Sequence, residues 1–125
     1  MKVLISNQSK TPIYQQVIDQ IKQQILKGDL KEGEALPSIR LLAKELQISV
    51  ITSKRAYEEL EKEGLIYSAV GKGSFVAYQT DQALREKRIQ EIESKMRDVL
   101  RDCRNENVSI EEAQEMLAKL YRGMD

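Results

Sequence analysis

The chain has 125 residues, with 20 basic and 20 acidic side chains, one cysteine and no histidine, for a formal net charge of zero. That length fits one domain, or one small domain with an appendage. The missing histidine excludes His-based acid–base catalysis, Ser–His and Cys–His nucleophile pairs and the ordinary zinc sites, and the single Cys103 excludes an intramolecular disulfide. The carboxylates lie beside basic partners, none paired in an apolar setting, so no catalytic residue, metal or cofactor is expected. No apolar run approaches the roughly 20 residues of a membrane span. The opening MKVLISNQSK lacks the apolar stretch of a signal peptide, so a cytoplasmic location is expected. Charge is split along the chain: residues 1–80 hold eleven Lys or Arg against nine Asp or Glu, and residues 81–125 hold nine against eleven.

Residues 1–10 are a short lead-in, in which Val3, Leu4 and Ile5 can add an edge strand or pack loosely. Thr11-Pro12 predicts a helix start, threonine as N-cap and proline at the first helical position. Ile13, Val17, Ile18, Ile21 and Ile25 form its apolar stripe; Gln15, Gln16, Lys22 and Gln23 lie outside it, and Gly28 ends it. Asp29 to Ala35, rich in glycine and charge, predicts a loop.

Leu36-Pro37-Ser38 opens a second helix: Pro37 stops the preceding element and Ser38 caps the new one. Ile39, Leu42, Ala43 and Leu46 share one face of it. After a break at Gln47-Ile48-Ser49, Ser49 caps a third helix with Ala56, Tyr57 and Leu60 as its buried stripe. Two short helices joined by a tight turn predict a helix-turn-helix, whose second helix can enter a DNA major groove. From Ser38 to Arg55 the cations Arg40, Lys44, Lys54 and Arg55 meet one acid, Glu45; from Glu58 to Glu63 four glutamates meet Lys62. A recognition helix reads bases mainly from its N-terminal end, so cations belong there and acids farther along. An amphipathic helix pair with ordinary surface charge also fits this stretch taken alone.

Gly64 ends the third helix, and the β-prone runs Leu65–Tyr67 and Phe75–Tyr78 flank the basic turn Gly71-Lys72-Gly73. This predicts a β-hairpin behind the recognition helix, as in a winged helix. Glycine permits close backbone approach to DNA, and lysine can reach a phosphate or the minor groove. A structural hairpin with a soluble tip has the same composition; its position after the helix-turn-helix favours the functional reading.

From Asp81 the chain has no further Gly or Pro until Gly123. Ile89, Ile92, Met96, Val99 and Cys103 recur at alternating steps of three and four, a heptad-like seam that Leu84 and Leu100 widen. A break at Asn105-Glu106-Asn107 precedes Ser109-Ile110-Glu111-Glu112, which has the form of a capping box. Ala113, Met116, Leu117 and Leu120 carry the last apolar face. Two such helices bury little alone, and a second copy of the chain is the simplest cover. The alternative is that they fold back on the winged helix. Cys103 is expected to pack as a small hydrophobe, a cross-dimer disulfide being the alternative.

The motifs TPIYQQV at 11–17, GDLKEG at 28–33, LPSIR at 36–40, AYEELEKEG at 56–64 and GKGSFV at 71–76 together resemble the GntR family of bacterial transcription regulators, over about residues 10 to 78. The short two-helix tail resembles the YtrA subfamily. That resemblance implies a small dimeric repressor acting on a double-stranded DNA operator, often of its own operon and of neighbouring ABC-transporter genes. It implies that Arg40, in the motif begun by Pro37-Ser38, contacts the operator. It also implies that Ser49, Thr52 and Lys54 are polar or basic positions opening the recognition helix, and that Gly71, Lys72 and Gly73 form the wing tip. Many members carry arginine, then asparagine or threonine, where this chain has Val50 and Ile51. Val50 cannot make arginine's bidentate contact to guanine, which leaves apolar contact to a thymine methyl. Arg55 faces phosphate or solvent. The larger subfamilies append a ligand-binding or aminotransferase-like domain. The tail here is too short for a roomy pocket, although a small effector between helices at a dimer interface is compatible with it.

The expected fold is therefore mainly α with a small β-hairpin wing: a winged helix-turn-helix over residues 1–80 and a two-helix dimerisation arm over residues 81–125. Ser38, Arg40, Ser49, Val50, Ile51 and Thr52, with Lys54, Arg55, Gly71, Lys72 and Gly73, are the candidate DNA contacts. Ile89, Ile92, Met96, Val99, Cys103, Leu117 and Leu120 are the candidate dimer contacts. The rival reading is a protein-docking module, which near-neutral charge and the apolar Val50-Ile51 pair also fit. An acid-free cationic face of Arg40, Lys44, Lys54 and Lys72 speaks against it.

Overall fold

Helix α1 (Ile13–Lys27) turns Val17, Ile18, Ile21, Ile25 and Leu26 inward, the stripe its spacing predicts, and Gly28 ends it in the left-handed conformation at φ 85°. In this computed structural model, which describes residues 1–124, its start differs from expectation. Pro12, extended at φ −55° and ψ 149°, is itself the N-cap and makes no side-chain cap bond. The Gln16 N–H donates to the Pro12 carbonyl (3.0 Å), so the first helical turn closes on proline and leaves Thr11 outside.

The next two helices begin where serine predicts. Ser38 Oγ accepts the Leu41 N–H at the head of α2 (Ile39–Leu46), and Ser49 Oγ accepts the Thr52 N–H at the head of α3 (Val50–Lys62). Helix α3 packs on both α1 and α2. Its inward residues Ser53, Ala56, Tyr57 and Leu60 are buried, and Ser53 satisfies its hydroxyl on the Ser49 carbonyl. Leu42 from α2 and Leu65, Ile66 and Val76 from the following hairpin close the core.

That hairpin pairs β1 (Ile66–Ala69) with β2 (Gly73–Val76), Ile66 opposite Val76 and Ala69 opposite Gly73. Both strands are displaced from the predicted runs: the N–H of the buried Leu65 is spent on the Leu60 carbonyl, so β1 begins at Ile66, and β2 begins at Gly73. The segment read as a loop also pairs: Gly33 donates to Val76, Val76 to Glu34, and Leu36 to Ser74, with Ala35 bridged to Phe75. These are backbone bonds, which charged and glycine-rich side chains neither require nor advertise.

The lead-in is held in an unexpected way. Gln16, Gln20 and Gln24 of α1 each accept the N–H and donate to the carbonyl of Ser6, Leu4 and Lys2 respectively. A carboxamide carries one acceptor and a donor, so each glutamine stands in for a peptide group of a neighbouring strand. Four helical residues rise about 6 Å and two extended residues about 6.6 Å, so the rungs stay in step. The strap buries Val3 and packs Ile5 on the core.

Two compact units divide between Leu84 and Arg85, four residues beyond the expected 80/81 boundary. Thr80 caps α4 (Asp81–Asn105) by accepting the Ala83 N–H, and Leu84 packs on the core of the first unit rather than on the seam. In the second unit Asn107 takes the left-handed conformation at φ 58°, and Ser109 and Glu112 form the predicted capping box of α5 (Ile110–Arg122). No residue of α4 or α5 is buried. Among the described residues no helix is long and apolar enough to cross a membrane.

Replacing Gln20 with leucine removes both bonds to Leu4. Amide exchange at Leu4 and its strap neighbours should accelerate about tenfold, the equivalent of a lost hydrogen-bond pair, while α3 amides keep their protection. Unchanged exchange at Leu4 would show that burial of Val3 alone retains the strap.

Candidate nucleic-acid interface

The outer side of the helix-turn-helix is positioned by a bond on its inner side. Tyr57, buried on α3, donates its hydroxyl to the Pro37 carbonyl at 2.7 Å, tying the third helix to the residue that launches the second. Burial pushes the Tyr57 phenol far above its ordinary range and the Glu45 charge adds to the shift, so it stays a donor. Three residues past that anchor stands Arg40, exposed, with Lys44 one turn further along the same side of α2. Neither has an ion-pair partner among the described residues, and neither does Lys72.

The residues opening α3 divide by what already holds them. Ser49 Oγ accepts the Thr52 N–H at 3.0 Å and donates to Thr52 Oγ1 at 2.7 Å, so its proton is spent within the cap. Ser38 caps α2 in the same manner, with its hydroxyl exposed. Lys54 stands 3.9 Å from Glu58, a loose pair with both side chains more than half exposed, worth little in water. Arg55 is exposed, and its guanidinium lies 3.7 Å above the centre of the Tyr14 ring on α1. Val50 and Ile51 remain, 49% and 81% exposed.

At the wing the turn is Val70-Gly71-Lys72, closed by the Lys72 N–H on the Ala69 carbonyl at 2.9 Å. Gly71 and Gly73 have φ of 74° and 104°, and a Cβ at either would meet nothing within 4 Å. Backbone conformation, not crowding, therefore requires glycine there. Tyr67 and Phe75 stack behind the tip at 5.5 Å. The sequence places Tyr57 in the buried stripe without showing its bond to Pro37, and gives no role to Tyr14 or the fully exposed Val70. Only Val70 was legible there, as the apolar residue adjoining the glycine turn.

In the second unit Ile89, Ile92, Met96 and Val99 of α4 and Leu117 and Leu120 of α5 all expose about half of their surface or more. Cys103 is half-buried and free, in a groove of about 540 Å³ between α4 and α5 lined also by Leu100, Val108 and Ile110 and by Arg97, Arg101 and Arg104. Among the described residues no three His, Cys, Asp or Glu side chains are grouped to hold a metal ion.

The sequence profile described as "Bacterial regulatory proteins, gntR family" matches residues 13–76, from the head of α1 to the end of β2. The chain belongs to the GntR family. As a GntR protein it is a DNA-binding transcription regulator. It is similar to the HTH-type transcriptional repressor YtrA of Bacillus subtilis (strain 168), 33% identical over 118 residues that span 94% of this chain and 91% of YtrA. The crystal structure of a transcriptional antiterminator from Listeria monocytogenes EGD-e superposes with a TM-score of 0.73 at 35% identity, covering 97% of this chain and 90% of that one. The AraR DNA-binding domain, solved in complex with an operator, superposes at 0.55 with 30% identity, over 62% of this chain and 96% of that domain.

The folded chain resists ionising Tyr57 more than the unfolded chain does. Its contribution is therefore complete below the usual phenol value near 10 and is lost as pH rises past it. Tyr57→Phe should cost roughly 1 kcal/mol in urea unfolding at pH 7, and the gap between the two proteins should close above about pH 10. A gap that persists unchanged through the alkaline range would mean that this hydroxyl does not anchor the two helices.

Proposed function

We propose that this GntR protein is a homodimeric repressor acting in the cytoplasm on a two-fold-related double-stranded operator, in its own promoter and those of transporter genes. Each α3 enters a major groove and each wing lies on the neighbouring backbone or minor groove. Arg40 and Lys54 supply charge-assisted contacts and Lys72 the wing contact, with Lys44 adding backbone charge. Thr52 keeps its own proton for a phosphate, and Ser49 acts by holding Thr52. The observation that carries this reading is the set Arg40, Lys44 and Lys72, cations without an ion-pair partner among the described residues in the segments just after Pro37 and β1.

Dimerisation rests on a separate argument. Ile89, Ile92, Met96, Val99, Leu117 and Leu120 leave an apolar surface that water would ordinarily drive under cover, and a second arm has the complementary seam. Two joined winged helices bind a two-fold operator tightly because the second contact is made at high effective concentration.

The test is fluorescence-anisotropy titration of the DNA upstream of the protein's gene, against scrambled DNA, over a salt series. Preferred binding with log affinity falling steeply against log salt is expected. Equal, weak binding to both would shift attention to a protein partner. Arg40→Ala should weaken specific binding by roughly 1–3 kcal/mol. Lys72→Ala should weaken it less and reduce the salt slope by about one unit; an unaltered slope would remove that lysine from the contact set. Met96→Glu should yield a monomer by sedimentation and lower operator affinity by roughly a hundredfold or more. A dimeric Met96→Glu protein would relocate the interface.

A further inference from the structure

We infer that the opening turn of α3 reads DNA through methyl groups, Val50 and Ile51 lying against the C5-methyl of thymine in the major groove. This rests on the DNA-binding reading and concerns what that site selects. Of the outward residues that open α3, the two hydroxyls bond to each other, and the Arg55 guanidinium is stacked on Tyr14. Hydroxyl donation from that turn is thereby reduced to the one proton that Thr52 keeps for a phosphate. What remains is Lys54, suited to phosphate, and two aliphatic side chains exposed by 49% and 81%.

Large apolar side chains at the head of a helix are ordinarily turned inward; here the inward positions are taken by Ser53, Ala56 and Tyr57. The same helix-turn-helix exposes the cations Arg40 and Lys44 on α2 and Lys54 on α3, which suits an occupant that is anionic overall and apolar where it meets the pair. In the major groove the thymine methyl is the one apolar group among donors and acceptors. Valine and isoleucine accept that methyl and reject the amino group of cytosine, which they cannot pair. The predicted half-site therefore presents thymines to the head of α3, where a guanine-reading arginine would select G·C.

The experiment enriches a random-sequence duplex pool with the full-length protein and then replaces each thymine of the best duplex, singly, by deoxyuridine. That change deletes one methyl and leaves base pairing intact. Loss of one well-packed methyl should weaken binding about fourfold at one or two positions in each half-site. Val50→Ala and Ile51→Ala, exposed and so neutral to folding, should abolish the penalty at the position each covers while keeping the salt slope. Replacing such a T·A pair by C·G should cost more than replacing it by 5-methylcytosine·G. If deoxyuridine is tolerated everywhere in a duplex still preferred over scrambled DNA, the methyl reading is overturned and the DNA-binding reading stands. If no duplex is enriched, both are overturned.

Discussion

Helix α3 has to meet two other helices along one edge and leave the opposite edge free, and the first unit depends on how that is arranged. Ser53 and Ala56, both fully buried, are small enough to bring the helix close. Leu60 fills the far end, and Tyr57 reaches past the contact to the Pro37 carbonyl. The hydroxyl is fixed by the carbonyl of a residue whose φ the pyrrolidine ring locks. Because Pro37 immediately precedes the cap of α2, the same bond sets the origin of the helix that carries Arg40 and Lys44. Inner-face packing and outer-face charge are thus coupled through a single side chain.

Around that framework the remaining segments are secured chiefly by amide groups. The strap borrows three glutamine carboxamides from α1, and residues 33–36 borrow the free edge of β2. Each device satisfies backbone donors and acceptors that would otherwise depend on water. Each also covers a sheet edge or a helix flank with little apolar surface. A protein with one phenylalanine, no tryptophan and a small core gains order in this way without a larger hydrophobic interior.

The second unit obeys the opposite logic. Its helices are well capped and rich in charge, yet none of their apolar side chains is buried. Capping and i,i+4 pairs such as Glu93–Arg97 support helix formation locally. They do not bury the Ile89–Val99 seam, and helices of this kind take most of their stability from packing. The similarity to YtrA extends over 94% of the chain, well past the family match that ends at residue 76, so the arm belongs to what the two proteins share.

What the sequence determined by itself was local. Helical periodicity, serine caps at 38, 49 and 109, and glycine at 28 and 64 are each decided within a few residues, and each lies in the structure where that reading puts it; the wing turn read at 71–73 falls one residue earlier, at 70–72. The family resemblance has the same origin, since its motifs are these caps, turns and stripes in order. Tertiary structure alone decided which polar side chains were already engaged. Arg55 found Tyr14 some forty residues away, Gln16, Gln20 and Gln24 found the strap, Tyr57 found Pro37, and Leu84 left the seam for the core. A polar side chain looks the same in a sequence whether it faces water or a distant partner. The choice is made by which surfaces the packed helices bring within bonding distance, and that distance exists only once the chain is folded.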